Sequence, residues 1–140
     1  MKSLLIAAAV LLAPAALCAD VTVSNAWIRA TVPGQPVSGA YFDITAKKAT
    51  RLVKVETPAA GLVQLHEMRT ESGVMKMRQI DSISLPAGQT VSLAPSKMHV
   101  MLMNIPEPLT EGSKQTMILT FVEDGVRSQL KLSVPVKKGS

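Results

Sequence analysis

Beyond residue 19, no stretch of this chain sustains a helical spacing of apolar residues over three turns. That feature restricts the fold more than any other. Short β-branched and alternating runs recur instead, each closed by Gly, Pro, Asn or Asp. They place strands at 21–31, 38–45, 51–56, 62–70, 74–80, 82–85, 90–93, 99–105, 115–122 and 126–134. Residues 32–36 (VPGQP) form a turn, because Pro cannot donate to a ladder and Gly permits positive φ. Glu71-Ser72-Gly73 is a tight turn, and Glu123-Asp124-Gly125 is a hairpin signal between two alternating runs. The pattern predicts an all-β chain, a two-sheet sandwich or Greek-key barrel. No internal repeat, low-complexity tract or linker divides it, so it reads as one domain.

The N-terminus has a different composition. Lys2 precedes an apolar run at 4–13 (LLIAAAVLLA), Pro14 breaks the run, and Ala15-Ala16-Leu17-Cys18-Ala19 follows. This is the layout of a secretory signal peptide. The run is too short for a relaxed membrane span of about 20 residues. Cleavage after Ala19 gives a signal peptide at 1–19, a mature domain at 20–140 and a periplasmic location. A lipidated Cys18 is the competing possibility, but the bulky Leu17 before it fits that signal poorly.

The mature chain has no Cys, which excludes disulfides and a thiol nucleophile, so it must hold itself together by core burial. Removing Lys2 from the fifteen Lys+Arg leaves fourteen against ten Asp+Glu, a net charge of +4. The basic residues are scattered, and the chain has only one Trp, one Tyr and two Phe. Neither feature suits nucleic-acid binding. There is no Gly-rich phosphate loop, no Gly-x-Ser-x-Gly elbow and no His-Glu-x-x-His pair, so nothing marks an enzyme.

The distribution of His and Met is unusual. The chain has two His against eight Met. Both His lie in expected strands beside Met, in His66-Glu67-Met68 and in Met98-His99-Val100-Met101-Leu102-Met103, and Met75-Lys76-Met77 follows the turn at 71–73. Residues two apart on a strand share a face. His66 is therefore grouped with Met68, Met75 with Met77, and His99 with Met101 and Met103. Met98 and Met117 read as core filler, an ordinary role for Met. Thioether sulfur is soft, neutral and needs no deprotonation, so a Met/His set favours Cu(I) over harder ions. A blue-copper electron-transfer site would need a Cys thiolate and is excluded. The residues by themselves leave two alternatives, a copper-binding protein or a β-sandwich interaction module with Met as filler.

The spacing from His66 through ten residues to Met77, through twenty-one to His99, and through one to Met101 resembles the H-x10-M-x21-H-x-M signature of the periplasmic copper chaperones called PCuAC, with no insertion or deletion. The segments Asn25-Ala26-Trp27-Ile28-Arg29, Pro33-Gly34 and Gly39-Ala40-Tyr41-Phe42 resemble the family's N-terminal half. The resemblance implies a cupredoxin-like Greek-key β-sandwich and one Cu(I) held by His66, Met77, His99 and Met101. It implies a monomeric, non-enzymatic carrier that supplies copper to the Cu(A) subunit of cytochrome c oxidase or to a Sco-type thiol protein. Storage would use the same site. Met68, Met75 and Met103 are auxiliary candidates, second to the four or part of the core. The four should converge at one end or edge of the sandwich, with His99 and Met101 on the side where copper leaves. The chain ends in VPVKKGS and lacks the His- and Met-rich tail of some members.

Overall fold

A computed structural model describes residues 20–139, so the expected signal peptide lies outside the described residues. Ten strands follow one another: β1 (Val21–Arg29), β2 (Ser38–Ala46), β3 (Thr50–Glu56), β4 (Leu62–Glu71), β5 (Val74–Ile80), β6 (Ile83–Leu85), β7 (Thr90–Leu93), β8 (His99–Met103), β9 (Lys114–Glu123) and β10 (Val126–Lys137). They pair in the order β5-β4-β8-β2-β1-β10-β9-β3-β6, and β7 pairs with the second half of β2. All pairings are antiparallel except β1 with β10, whose two parallel register pairs join the halves of the path. The path folds into a Greek-key β-sandwich around one core. Ile28, Phe42, Ile44, Leu65, Val100 and Leu102 on one side meet Leu52, Ile83, Leu85, Met117, Leu119 and Val134 on the other.

The two expected hairpins form for a local reason. Ser72 and Gly73 have φ of 51° and 79°, and Asp124 and Gly125 have φ of 51° and 77°. Two consecutive positive-φ residues make the two-residue turn whose twist matches the flanking strands. The first turn lays β5 back on β4 in unbroken register from Glu71↔Val74 to Leu65↔Ile80.

Three strand ends differ from expectation by more than one residue. β1 stops at Arg29 rather than residue 31. β8 stops at Met103 rather than residue 105, because Asn104 takes φ of 55°. β10 runs through Pro135 to Lys137 instead of ending at Val134. Val136 donates toward β9, to Ser113 O at 2.8 Å, so the Pro135 nitrogen faces the β1 side. Pairing with β1 begins only at Val136, so no ladder donor is lost at the Pro.

A bulge in β1 changes which residues face out. Register against β2 shifts between Ser24 and Trp27, and Asn25 sits at φ of 55°, a conformation Asn tolerates better than most residues. Val21 and Val23 pack toward the core before the bulge, and Ala26 and Ile28 do so after it. Trp27 and Arg29 are thereby turned onto the outer face. The Asn25 side chain donates to Asp43 Oδ2 at 2.9 Å across the bulge. That bond holds the Asp43 carboxyl below its ordinary value.

The methionines divide between environments. Met117 is fully buried, and Met98 packs against the core from its margin. Met75 is 52% exposed. Met117→Ala is therefore expected to destabilise the chain by about 2–5 kcal/mol in urea unfolding. Met75→Ala should change stability by less than about 0.5 kcal/mol. Equal losses in the two variants would contradict the division.

Candidate metal centre

The registers of three adjacent strands assemble the candidate residues on one face. His66 of β4 is the direct cross-strand partner of His99 of β8. Gln79 of β5 is the partner of His66 on the other side. Partners in register point to the same face, and the neighbours Leu65 and Val100 point into the core. The two His therefore stand on the outer face. His99 is the first residue of β8 and the His66–His99 pair is the last rung of its ladder with β4, and β5 beside it is an edge strand.

The imidazole ring centroids are 5.9 Å apart, with planes inclined at 45°. Two metal–nitrogen bonds of about 2 Å, plus about 1 Å from each ring centre to its nitrogen, span roughly 6 Å. The separation is thus within reach of one ion held at a wide angle between the rings.

Each ring is fixed by a different bond. The His99 Nδ1–H donates to the Lys97 carbonyl oxygen at 3.0 Å. His66 Nε2 lies 2.9 Å from Gln64 Oε1. His66 Nδ1 is buried without a hydrogen-bond partner. A buried acceptor left unpaired costs about 1–3 kcal/mol, so its retention calls for an explanation. His99 is 5% exposed. Burial, and secondarily the charge of His99, push the His66 pKa below its ordinary value of 6.5. The neutral, electron-donating form is therefore favoured.

The thioethers are arranged on both sides of this pair. Met101 faces outward with His99 on β8 and is the register partner of Gln64, one strand and one step from His66. Met68 and Met77 are partners of each other across β4 and β5, on the step beyond His66. Met77 is thus one strand from His66 and two from His99, whereas Met68 is one strand from His99. The register brings Met68 nearer the pair than the sequence spacing alone suggests. Met75 and Met103 lie a further step out, Met75 opposite Thr70 and Met103 opposite Leu62. The Thr70 hydroxyl donates to Met75 Sδ at 2.9 Å. None of Met68, Met75 and Met103 is in the core.

Exposure places the open side differently from the expectation. Met77 is 47% exposed on the edge strand, while His99 is nearly sealed. Of the candidate residues, Met77 is thus more open to solvent than His99. Behind this face, Glu67 pairs with Arg78 at 2.9 Å and with Arg69 at 3.8 Å, and Glu71 pairs with Lys76 at 3.6 Å. The charges of the β4–β5 hairpin are therefore spent on each other. Among the described residues, no cluster of three or more His, Cys, Asp or Glu exists. A metal at the His pair would have to complete its shell with neutral donors.

Trp27, Arg29, Gly39 and Tyr41, which the sequence offered only as part of the family resemblance, lie on the same face as the histidines. Tyr41 lies beside His99 with ring centroids 6.2 Å apart, and Trp27 beside Tyr41 at 4.7 Å. The Arg29 guanidinium lies 5.5 Å from the Trp27 ring and 5.8 Å from the Tyr41 ring. Gly39 is the register partner of Met101, and it gives Tyr41 its room. A Cβ at residue 39 would overlap the Tyr41 hydroxyl and stand 2.8 Å from Cζ. The available signal was that Trp27 and Tyr41 are the chain's single Trp and single Tyr. Gln64, two residues before His66, was equally readable and equally passed over.

The lowered His66 pKa has a sign that can be checked. The folded state resists protonation more than the unfolded state, so this contribution to stability is complete above pH 6.5 and is lost as pH falls below it. The metal-free protein should lose melting temperature from pH 7 to pH 5 more steeply than a His66→Leu variant. Parallel melting curves for the two proteins would remove the effect.

The LpqE-like family, described as "Putative lipoprotein LpqE-like", matches residues 21–136. "Putative lipoprotein Lxx21020" of Leifsonia xyli is 38% identical over 120 residues, covering 84% of this chain and 69% of that protein. "Uncharacterized protein RP573" of Rickettsia prowazekii is 27% identical over 114 residues, covering 77% of this chain and 62% of that protein. Among solved structures, apo-DR1885 from Deinococcus radiodurans superposes with a TM-score of 0.61 at 28% identity, covering 86% of this chain and 83% of that one. Its Cu(I) form gives 0.62 at 27%, covering 83% and 78%. The copper-bound PCuAC domain from PmoF2 has the same fold, with a TM-score of 0.68 at 24% identity, covering 84% and 92%. The chain belongs to the LpqE-like family, and its β-sandwich is that of the PCuAC domains.

Proposed function

We propose that this protein is an exported copper carrier that binds one Cu(I) through His66, Met77, His99 and Met101 and passes it to a copper acceptor. The observation that carries this is the His66–His99 pair, 5.9 Å apart on an outward sheet face bordered by thioethers and lacking any acidic cluster. Two imidazoles and neutral sulfurs suit a soft monovalent ion and give little to a hard divalent one. The similarity to DR1885, a protein solved in apo and Cu(I) forms, supports the same reading. The relatives described as lipoproteins support export. The mature unit is residues 20–140, a periplasmic monomer without catalytic residues. The acceptor is the Cu(A) subunit of an oxidase or a Sco-type thiol protein. Mass spectrometry of the exported chain tests the first boundary: a mass starting at Asp20 is expected, and a lipid on Cys18 would replace it.

His66 and His99 hold the ion, while Met77 and Met101 close its shell from opposite sides. Because thioethers carry no charge and no proton, a partner thiolate can displace them one at a time. Exposed Met77 is the first to be displaced, and buried His99 the last. The net charge of +4 speeds encounter with an acidic acceptor surface.

Competitive titration with a Cu(I) chelator should give one tight equivalent. His66→Ala and His99→Ala should each weaken binding by about tenfold to a hundredfold or more, since each removes a direct ligand. Met68→Leu should leave one copper bound at altered affinity. Complete loss in Met68→Leu would overturn this assignment and move Met68 into the ligand set. Absence of any tight equivalent in the native protein would leave the interaction-module alternative. Mixing the loaded protein with an apo Cu(A) domain or a Sco-type protein should move copper to the acceptor, faster at low salt. Copper that remains bound against every thiolate acceptor would mean storage.

A further inference from the structure

We infer that the two histidines present different ring nitrogens to the metal, Nδ1 from His66 and Nε2 from His99, and that Gln64 is the positioning residue that sets this asymmetry. The inference rests on the site proposed above and adds to it a residue and an atom-level assignment.

The argument starts with what each partner can do. A backbone carbonyl only accepts hydrogen bonds, so the 3.0 Å contact with Lys97 O requires the proton of neutral His99 on Nδ1. The lone pair of His99 is then on Nε2. With the Gln64 amide turned so that Oε1 meets the ring at 2.9 Å, an oxygen that only accepts places the proton of neutral His66 on Nε2. The lone pair of His66 is then on Nδ1. This is the side-chain nitrogen that is buried with no partner at all among the described residues. A sealed, unsatisfied lone pair next to a second imidazole is a feature that a soft cation would satisfy.

Gln64 is placed for this by the strand period. It lies two residues before His66, on the same face of β4, and is held opposite Met101 by the register with β8. Its amide oxygen therefore reaches the Nε2 side of the ring and leaves Nδ1 without a hydrogen-bond partner. Lys97 plays the matching part for His99 from the backbone, two residues before it. In both cases the proton sits on the hydrogen-bonded nitrogen, which leaves the other nitrogen of the ring to bind the metal. Loading and release then require no tautomer change and no proton exchange, which suits a protein that must give its ion up on contact. A carbonyl or amide acceptor behind a ligating imidazole also fixes ring orientation, and loss of such partners typically costs about 10–100-fold in metal affinity.

The test uses protein labelled with 15N in histidine, in long-range 1H–15N correlation spectra. Spectra are taken metal-free and with one equivalent of Ag(I), a diamagnetic stand-in for Cu(I). The expected result is an Nε2–H tautomer for His66 and an Nδ1–H tautomer for His99 in the free protein. On metal addition, His66 Nδ1 and His99 Nε2 should move upfield while the protonated nitrogens stay. Movement of His66 Nε2 would overturn the inference and leave the two-histidine site intact. No movement at either ring would overturn the site itself, and the Cu(I) titration of the native protein reports that outcome separately. Gln64→Leu should mix the His66 tautomers and weaken Cu(I) binding by about tenfold or more. Gln64→Glu keeps an acceptor at the same place and should restore the Nε2–H tautomer. Native tautomers and affinity in a folded Gln64→Leu protein would remove Gln64 from the positioning role.

Discussion

The pairing of β4 with β8 is the constraint on which the site depends. In a strand pair the side-chain period is two, so a slip of one residue would exchange the faces of every side chain. Here Leu65 and Val100 are core residues, and Leu102 is fully buried on the same face. A slip would drive His99 and Met101 into the core and expose Val100 and Leu102. Burial of these aliphatic side chains thus holds His66 opposite His99. The core fixes the geometry, and the site is free to be unsatisfied before metal arrives.

The same logic explains the aromatic wall beside the pair. Without the extra residue at Asn25, the alternation of β1 would send Trp27 inward with Val21 and Val23. The bulge reverses the parity, so Ile28 fills the core and Trp27 stacks on Tyr41. Tyr41 can lie toward its neighbour because residue 39 has no side chain. One left-handed Asn and one Gly thereby place two large rings next to a nearly sealed His99. These are local backbone decisions with consequences at the far side of two strands.

Much of the sandwich was legible in the sequence, and the exceptions have physical causes. The hairpin turns were visible because Ser72-Gly73 and Asp124-Gly125 are residue types that accept positive φ. The outward grouping of His99, Met101 and Met103 followed from alternation alone. The parity of Trp27 was hidden, because a bulge is a tertiary compromise that Asn25 permits without demanding. The continuation of β10 through Pro135 was hidden because it depends on which neighbour the missing donor would face. Cross-strand register was hidden as well. Spacing selects Met77 over Met68, yet only the pairing of β4 with β5 puts the two side by side. The groups that fix the rings, the Gln64 side chain and the Lys97 backbone carbonyl, carry no composition signal of their own.

The distribution of charge around the candidate site suits the soft monovalent ion proposed for it. A monovalent soft ion held by neutral donors keeps its +1 charge, so carboxylates pointing at it would attract harder cations in competition. The hairpin meets this condition while remaining soluble. Its carboxylates, Glu67 and Glu71, pair with Arg78, Arg69 and Lys76, and Glu67 and Arg78 alternate with the outward Met and His positions. Such exposed pairs add little stability, so their placement matters more than their strength. One face of a two-stranded ribbon is thus kept soft and neutral, and the other carries the water-facing charge. Exposure then rises from buried His99 to exposed Met77 along a face of the ribbon that carries none of its carboxylates.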